Sequence, residues 1–180
     1  MLRLFAAIPV PDEIGELLAR LQVGLSEARW SPPENLHVTL RFFGEISETA
    51  ADDLELELSR IVAPPLSLTL QGAGAFGEAV DIHAVWIGVA ANPALDRLAQ
   101  ACERAARRAG LKPETRLYRP HVTLAYMRRP DPVEVAHWIQ ACNLARTPPL
   151  EADGFALYSS HATKHGSRYV AERYYPLARA

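Results

Sequence analysis

The sequence predicts a two-lobed fold of mixed strands and helices, its lobes related by a pseudo-twofold axis with a cleft between them. Three observations lead there. His37-Val38-Thr39-Leu40 recurs as His121-Val122-Thr123-Leu124, an offset of 84 residues. Pro64-Pro65-Leu66 recurs as Pro148-Pro149-Leu150 at the same offset. Strand-like and helix-like patterns also follow one another in the same order in the two halves. Separate matches at one offset, inside one order of elements, mark an internal repeat, approximately residues 1–80 and 81–180, within a single domain covering 1–180. A cleft between similar lobes is the expected site.

The elements follow from periodicity. Leu2 to Ile8 reads as a buried strand, and Ile14, Leu17, Leu18, Leu21 and Leu25 form one face of a helix starting near Asp12. Trp30 to Asn35 is a proline-containing connection, and Leu36 to Phe43 is a strand ended by Gly44. Ser47 caps a helix with Ala51, Leu54, Leu58 and Ile61 as its stripe. Pro64 and Pro65 stop it before a strand at Leu66 to Leu70. In the second half, Val85 to Val89 is a strand. Asn92, Pro93 and Gly110 cap, open and end a helix whose buried stripe is Leu95, Leu98, Cys102 and Ala106. A strand from His121 to Met127, a short helix opened by Asp131 and Pro132, and strands at Phe155 to Tyr158 and Tyr169 to Tyr174 complete the chain.

Composition bounds the function. With 180 residues, 49% hydrophobic and 22% charged, the chain can bury a core without disulfides or a structural metal. Cys102 and Cys142 each sit in an apolar helical pattern and read as buried thiols. A net charge of −2 excludes nucleic-acid binding through a globally basic surface, although a local basic groove is compatible with it. The apolar run from Leu4 to Val10 is too short to span a membrane and has no secretory cleavage pattern, so the protein is read as cytoplasmic.

Side chains alternate along a strand, so His37 shares a face with Thr39, and His121 with Thr123. One such motif could simply show its polar side to solvent. Two at a common offset instead bring a pair of imidazoles and a pair of hydroxyls to one cleft, without a set of metal ligands. Imidazole, with an unperturbed pKa of about 6.5, can take a proton from water or give one to a leaving oxygen. Thr hydroxyls can donate to anionic oxygens as charge redistributes. The substrate this chemistry describes is a phosphodiester.

The chain resembles the 2H phosphoesterases, named for two HxT motifs, and within them the RNA 2',3'-cyclic phosphodiesterases, also called 2'-5' RNA ligases. The resemblance covers nearly the whole chain. It rests on Arg3-Leu4-Phe5-Ala6-Ala7-Ile8, on the run from Trp30 through His37-Val38-Thr39-Leu40 to Glu45, and on Arg119-Pro120-His121-Val122-Thr123-Leu124-Ala125. It implies a bilobal α+β fold, with antiparallel sheets lining a central cleft and helices outside. It also implies metal-independent hydrolysis of a 2',3'-cyclic phosphate to a 2'-phosphate end, with His37 as proton donor and His121 as proton acceptor. The reverse reaction would join 2'-5' ends.

Family members often carry Arg where this chain has Tyr126, and Arg128 or Arg129 is the expected substitute. Strand parity puts Arg41 and Phe43 on the face of His37, as a phosphate contact and a base-stacking platform. The expected partners are RNA ends or nucleoside 2',3'-cyclic phosphates, with no cofactor, metal or membrane, and the protein is expected to be a monomer. The alternatives are a 2H enzyme for another small cyclic or 2'-5' phosphodiester, and an RNA- or nucleotide-binding module without catalysis.

Other signals read as structural. Gly72 to Gly77 matches GxGxxG, but a strand rather than a helix follows it, so no phosphate sits at a helix end there. His161 and His165 are four apart in a turn-like segment and lack a third ligand, and His83 and His137 have no partners. Arg104, Arg107 and Arg108 lie on a solvated helix face.

Overall fold

A computed structural model describes residues 1–178. Among them are ten strands: β1 (Leu2–Pro9), β2 (Arg29–Trp30), β3 (His37–Ile46), β4 (Leu66–Leu68), β5 (Leu70–Phe76), β6 (Ala84–Val89), β7 (His121–Tyr126), β8 (Leu150–Ala152), β9 (Gly154–Thr163) and β10 (Gly166–Pro176). Four helices accompany them: α1 (Asp12–Ala19), α2 (Glu48–Ser59), α3 (Pro93–Arg108) and α4 (Pro132–Cys142). The fold is α+β, and every strand pair is antiparallel. One sheet has the order β10-β9-β1-β3, a second β2-β7-β6-β5, and β4 pairs with β8.

The helix ends behave as their sequences dictate. The Ser47 hydroxyl accepts from Ala50 N at 3.2 Å and Asn92 Oδ1 from Leu95 N at 3.0 Å, while Asp131 accepts from Val133 N at 2.8 Å. Leu54 and Leu58 of α2 join Leu95, Leu98, Cys102 and Ala106 of α3 in a core continuous with Leu4, Ala6 and Ile8 of β1. Both cysteines are free and buried. No described helix is long and apolar enough to cross a membrane.

The 84-residue offset aligns β3 with β7, β4 with β8, and β5 with the start of β9. The trio β9-β1-β3 therefore corresponds to β5-β6-β7. Each trio takes two strands from one half of the chain and its third from the other, so neither half folds as a separate sheet. In the small sheet, Leu66 faces Ala152, Ser67 faces Glu151 and Leu68 faces Leu150. Exchanging the two halves leaves that register unchanged.

Several boundaries differ from the sequence expectation. The helix α1 ends at Ala19, and Leu25 reaches the core from beyond it. Gly44 does not end β3; with φ of 77° it bends the strand, which continues to Ile46. The segment before the first HVTL holds the two-residue β2, and the glycine run is itself strand β5.

One difference reorders the site. Ala7 faces Thr39 but Ala6 faces Arg41, which leaves Leu40 as an extra residue in β3. In the other sheet, Trp86 faces Thr123 and Val85 faces Ala125, leaving Leu124 extra. Both leucines are buried, so a bulge falls at the same place in both motifs. A bulge advances the strand by one residue and reverses the parity beyond it. Phe42 and Tyr126, not Arg41 and Ala125, therefore lie on the face of the histidines.

Candidate active site

Each histidine opens its strand, and each is oriented by a backbone carbonyl two residues earlier. Nδ1 of His37 lies 2.6 Å from the Asn35 oxygen, and Nδ1 of His121 lies 2.6 Å from the Arg119 oxygen. A carbonyl only accepts, so Nδ1 carries the hydrogen in both rings and Nε2 is left with a lone pair. Asn35 is itself anchored, because its Nδ2 donates to the Ser167 oxygen at 2.8 Å.

His37, Thr39 and Thr123 line one cleft of about 410 Å³, together with Phe42 and Tyr126. His121 is not part of that wall, yet it stands near enough for its charge to oppose protonation of His37. Aromatic rings enclose both imidazoles. His37 has Phe5 at 4.9 Å and Tyr169 edge-on at 5.3 Å, and His121 has Phe76 edge-on at 4.7 Å and Trp86 at 6.1 Å.

This enclosure sets the electrostatics. Burial pushes His37 down to about 4, against the opposing Asn35 hydrogen bond, and the neighbouring His121 lowers it further. Burial also lowers His121, opposed by the Arg119 carbonyl. In the free protein at pH 7 both rings are neutral. An anion placed between them would raise both pKa values, because it favours the charged form of each.

The structure brings His37, Thr39, Thr123 and Tyr126 to the cleft, with His121 beside it. It moves Arg41 away. That guanidinium is nearly buried on the opposite side of β3, with Nε 2.5 Å from Glu103, NH1 3.9 Å from Glu114, and NH2 donating to the Lys112 oxygen at 2.8 Å. Phe43 packs under Arg41 instead of lining the cleft. Phe42 takes the place expected for it. Arg128 and Arg129 are exposed and lie outside the cleft wall, so neither stands in for an arginine at position 126.

Arg3, Arg29, Tyr169 and His165 also line the cleft, and sequence reading missed them. Arg3 and Arg29 lie over the rings of Phe42 and Tyr126. Tyr169 on β10 lines the cleft together with Tyr126 on β7, and burial pushes its hydroxyl up to about 12. His165 arrives through the β9–β10 hairpin, whereas His161 turns to the Ser159 hydroxyl at 2.8 Å. Among the described residues, no three His, Cys, Asp or Glu side chains gather as a metal site.

A family model described as the 2'-5' RNA ligase superfamily matches residues 10–164. A protein of Archaeoglobus fulgidus named RNA 2',3'-cyclic phosphodiesterase is 32% identical over 172 residues, covering 93% of this chain and 96% of that protein. An Escherichia coli protein of the same name is 36% identical over 131 residues, covering 68% and 70%. The crystal structure of E. coli LigT complexed with 3'-AMP matches 99% of both chains with a TM-score of 0.77 and 29% identity.

Proposed function

The chain belongs to the 2'-5' RNA ligase superfamily, and from that premise we propose that it opens the 2',3'-cyclic phosphate of RNA ends or nucleosides to a 2'-phosphomonoester. The whole chain is read as one catalytic domain. Water attacks phosphorus and loses a proton to Nε2 of His121, the P–O3' bond breaks, and Nε2 of His37 protonates the departing O3'. Thr39 and Thr123 donate to the non-bridging oxygens as charge builds on them. With the 5'-hydroxyl of a second RNA end attacking phosphorus in place of water, the same displacement forms a P–O5' bond, breaks P–O3', and would join the ends through a 2'-5' phosphodiester. The observation carrying this reading is the paired arrangement itself: two imidazoles, each fixed through Nδ1, beside two hydroxyls that share a cleft. Among the described residues no Asp or Glu lines that cleft, and the proposed course routes no step through a metal.

The assay that tests this supplies a nucleoside 2',3'-cyclic phosphate with excess chelator and identifies the product across pH. The expected product is the 2'-phosphomonoester, formed at an unchanged rate after chelation. The pH dependence follows from the depressed imidazoles. The active form has His37 protonated and His121 neutral, and in the free protein the first of these fails above about pH 4. kcat/KM should therefore peak below pH 6.5, while kcat peaks at higher pH because the bound anion raises His37. Abolition by chelator, or a 3'-phosphate product, contradicts the proposal. Turnover only of other small phosphodiesters would move the enzyme to another substrate.

A further inference from the structure

Two cleft residues have no part in the proton transfers. Arg3 on β1 lies over the Phe42 ring with its guanidinium carbon 5.3 Å from the centroid, and Arg29 on β2 lies over Tyr126 at 5.8 Å. Phe42 and Tyr126 are counterparts in the repeat, each five residues past its histidine. Each HVTL strand thus carries an aromatic ring covered by an arginine from a neighbouring strand. Both arginines line the cleft, and among the described residues neither forms an ion pair and no Asp or Glu stands in the cleft wall.

Arg29 is held from a second side. A Cβ at Gly166, in the β9–β10 hairpin, would lie 3.4 Å from its Nε, an ordinary contact distance, so the hairpin backbone runs close beside the guanidinium. Stacking fixes the plane of a guanidinium and leaves its N–H edge able to grip an anion with two parallel hydrogen bonds. Both are charged donors at the cleft wall with no carboxylate partner among the described residues.

Position along the strands selects the anion. Phe42 and Tyr126 stand three residues beyond Thr39 and Thr123, roughly 10 Å at the usual strand rise and somewhat less across a bulge. The arginines are therefore about one nucleotide from the phosphorus under attack. Resting on the reading above, we propose that Arg3 and Arg29 grip the backbone phosphate adjoining the cyclic end. The preferred substrate is then an RNA oligonucleotide with a cyclic end, not a free nucleoside 2',3'-cyclic phosphate.

The test compares kcat/KM for a nucleoside 2',3'-cyclic phosphate with that for a trinucleotide ending in the same cyclised nucleoside. The wild type should favour the trinucleotide by at least about tenfold, the scale of one charge-assisted contact. The Arg3→Gln/Arg29→Gln variant should bring the ratio toward one. The corresponding double Lys variant should restore only part of it, since an ammonium lacks the planar fork. Equal efficiency on both substrates in the wild type overturns the grip while leaving the proposed reaction standing. So does a double Gln variant that loses the same factor on both substrates. Turnover of neither substrate by the wild type overturns the reaction itself, and the grip with it.

Discussion

Replacing His37 or His121 with Ala is expected to lower turnover of a nucleoside 2',3'-cyclic phosphate by at least about 100-fold, since each proton transfer contributes on the order of 10²–10⁴. The loss should fall mainly on kcat. Each ring acts on a proton that moves only as the P–O bonds are made and broken, so ground-state binding keeps the two hydroxyls. The double variant should cost little more than the worse single one, because an acid without its base, or a base without its acid, leaves the displacement half-assisted. Thr39→Val and Thr123→Val should each cost less, as each removes one of several donors to the same oxygens. Steady-state rates of the purified variants, with their thermal melts as a check on folding, give the comparison. Two histidine variants at full rate would end the acid–base account.

Replacing Arg41 with Ala should have the opposite profile: a large loss of stability and no loss of catalytic efficiency below the melting transition. Arg41 is 9% exposed, and its guanidinium joins β3 to Glu103 of α3 and to the Lys112 carbonyl beyond that helix. Removing it leaves Glu103 without its closest partner and a hole under β3. The carboxylates keep some solvent contact, at 25% and 26% exposure, so the cost is about 2–3 kcal/mol, below the range for a fully buried pair. For a chain of this size that corresponds to a thermal midpoint lower by about 5–10 °C. A raised KM with an unchanged melting point would instead return Arg41 to the substrate.

Arg41 also marks where sequence reading stopped. The HVTL pair, its common offset and the alternation of His with Thr follow from spacing alone, and the structure puts three of those four side chains in the cleft wall with the fourth beside it. Parity then fails at Leu40, because a bulge is a property of two paired strands and leaves no mark in one of them. The same event at Leu124 places Tyr126 in the wall. Arg3 and Arg29 were illegible for a related reason. Their role depends on the rings they cover, and those lie on other strands. Asn92, Ser47 and Asp131 were legible as caps because a cap is local.

The central claim is that both imidazoles address one phosphorus atom. Titrating inorganic phosphate into protein labelled with ¹⁵N in its histidines tests it most directly. The account predicts that Nε2 of His37 and Nε2 of His121 shift together along one binding curve, with the pKa of each ring rising and their Nδ1 signals staying in the hydrogen-bonded form. If only one ring responds, or the two report different dissociation constants, the histidines serve separate places and the claim is contradicted.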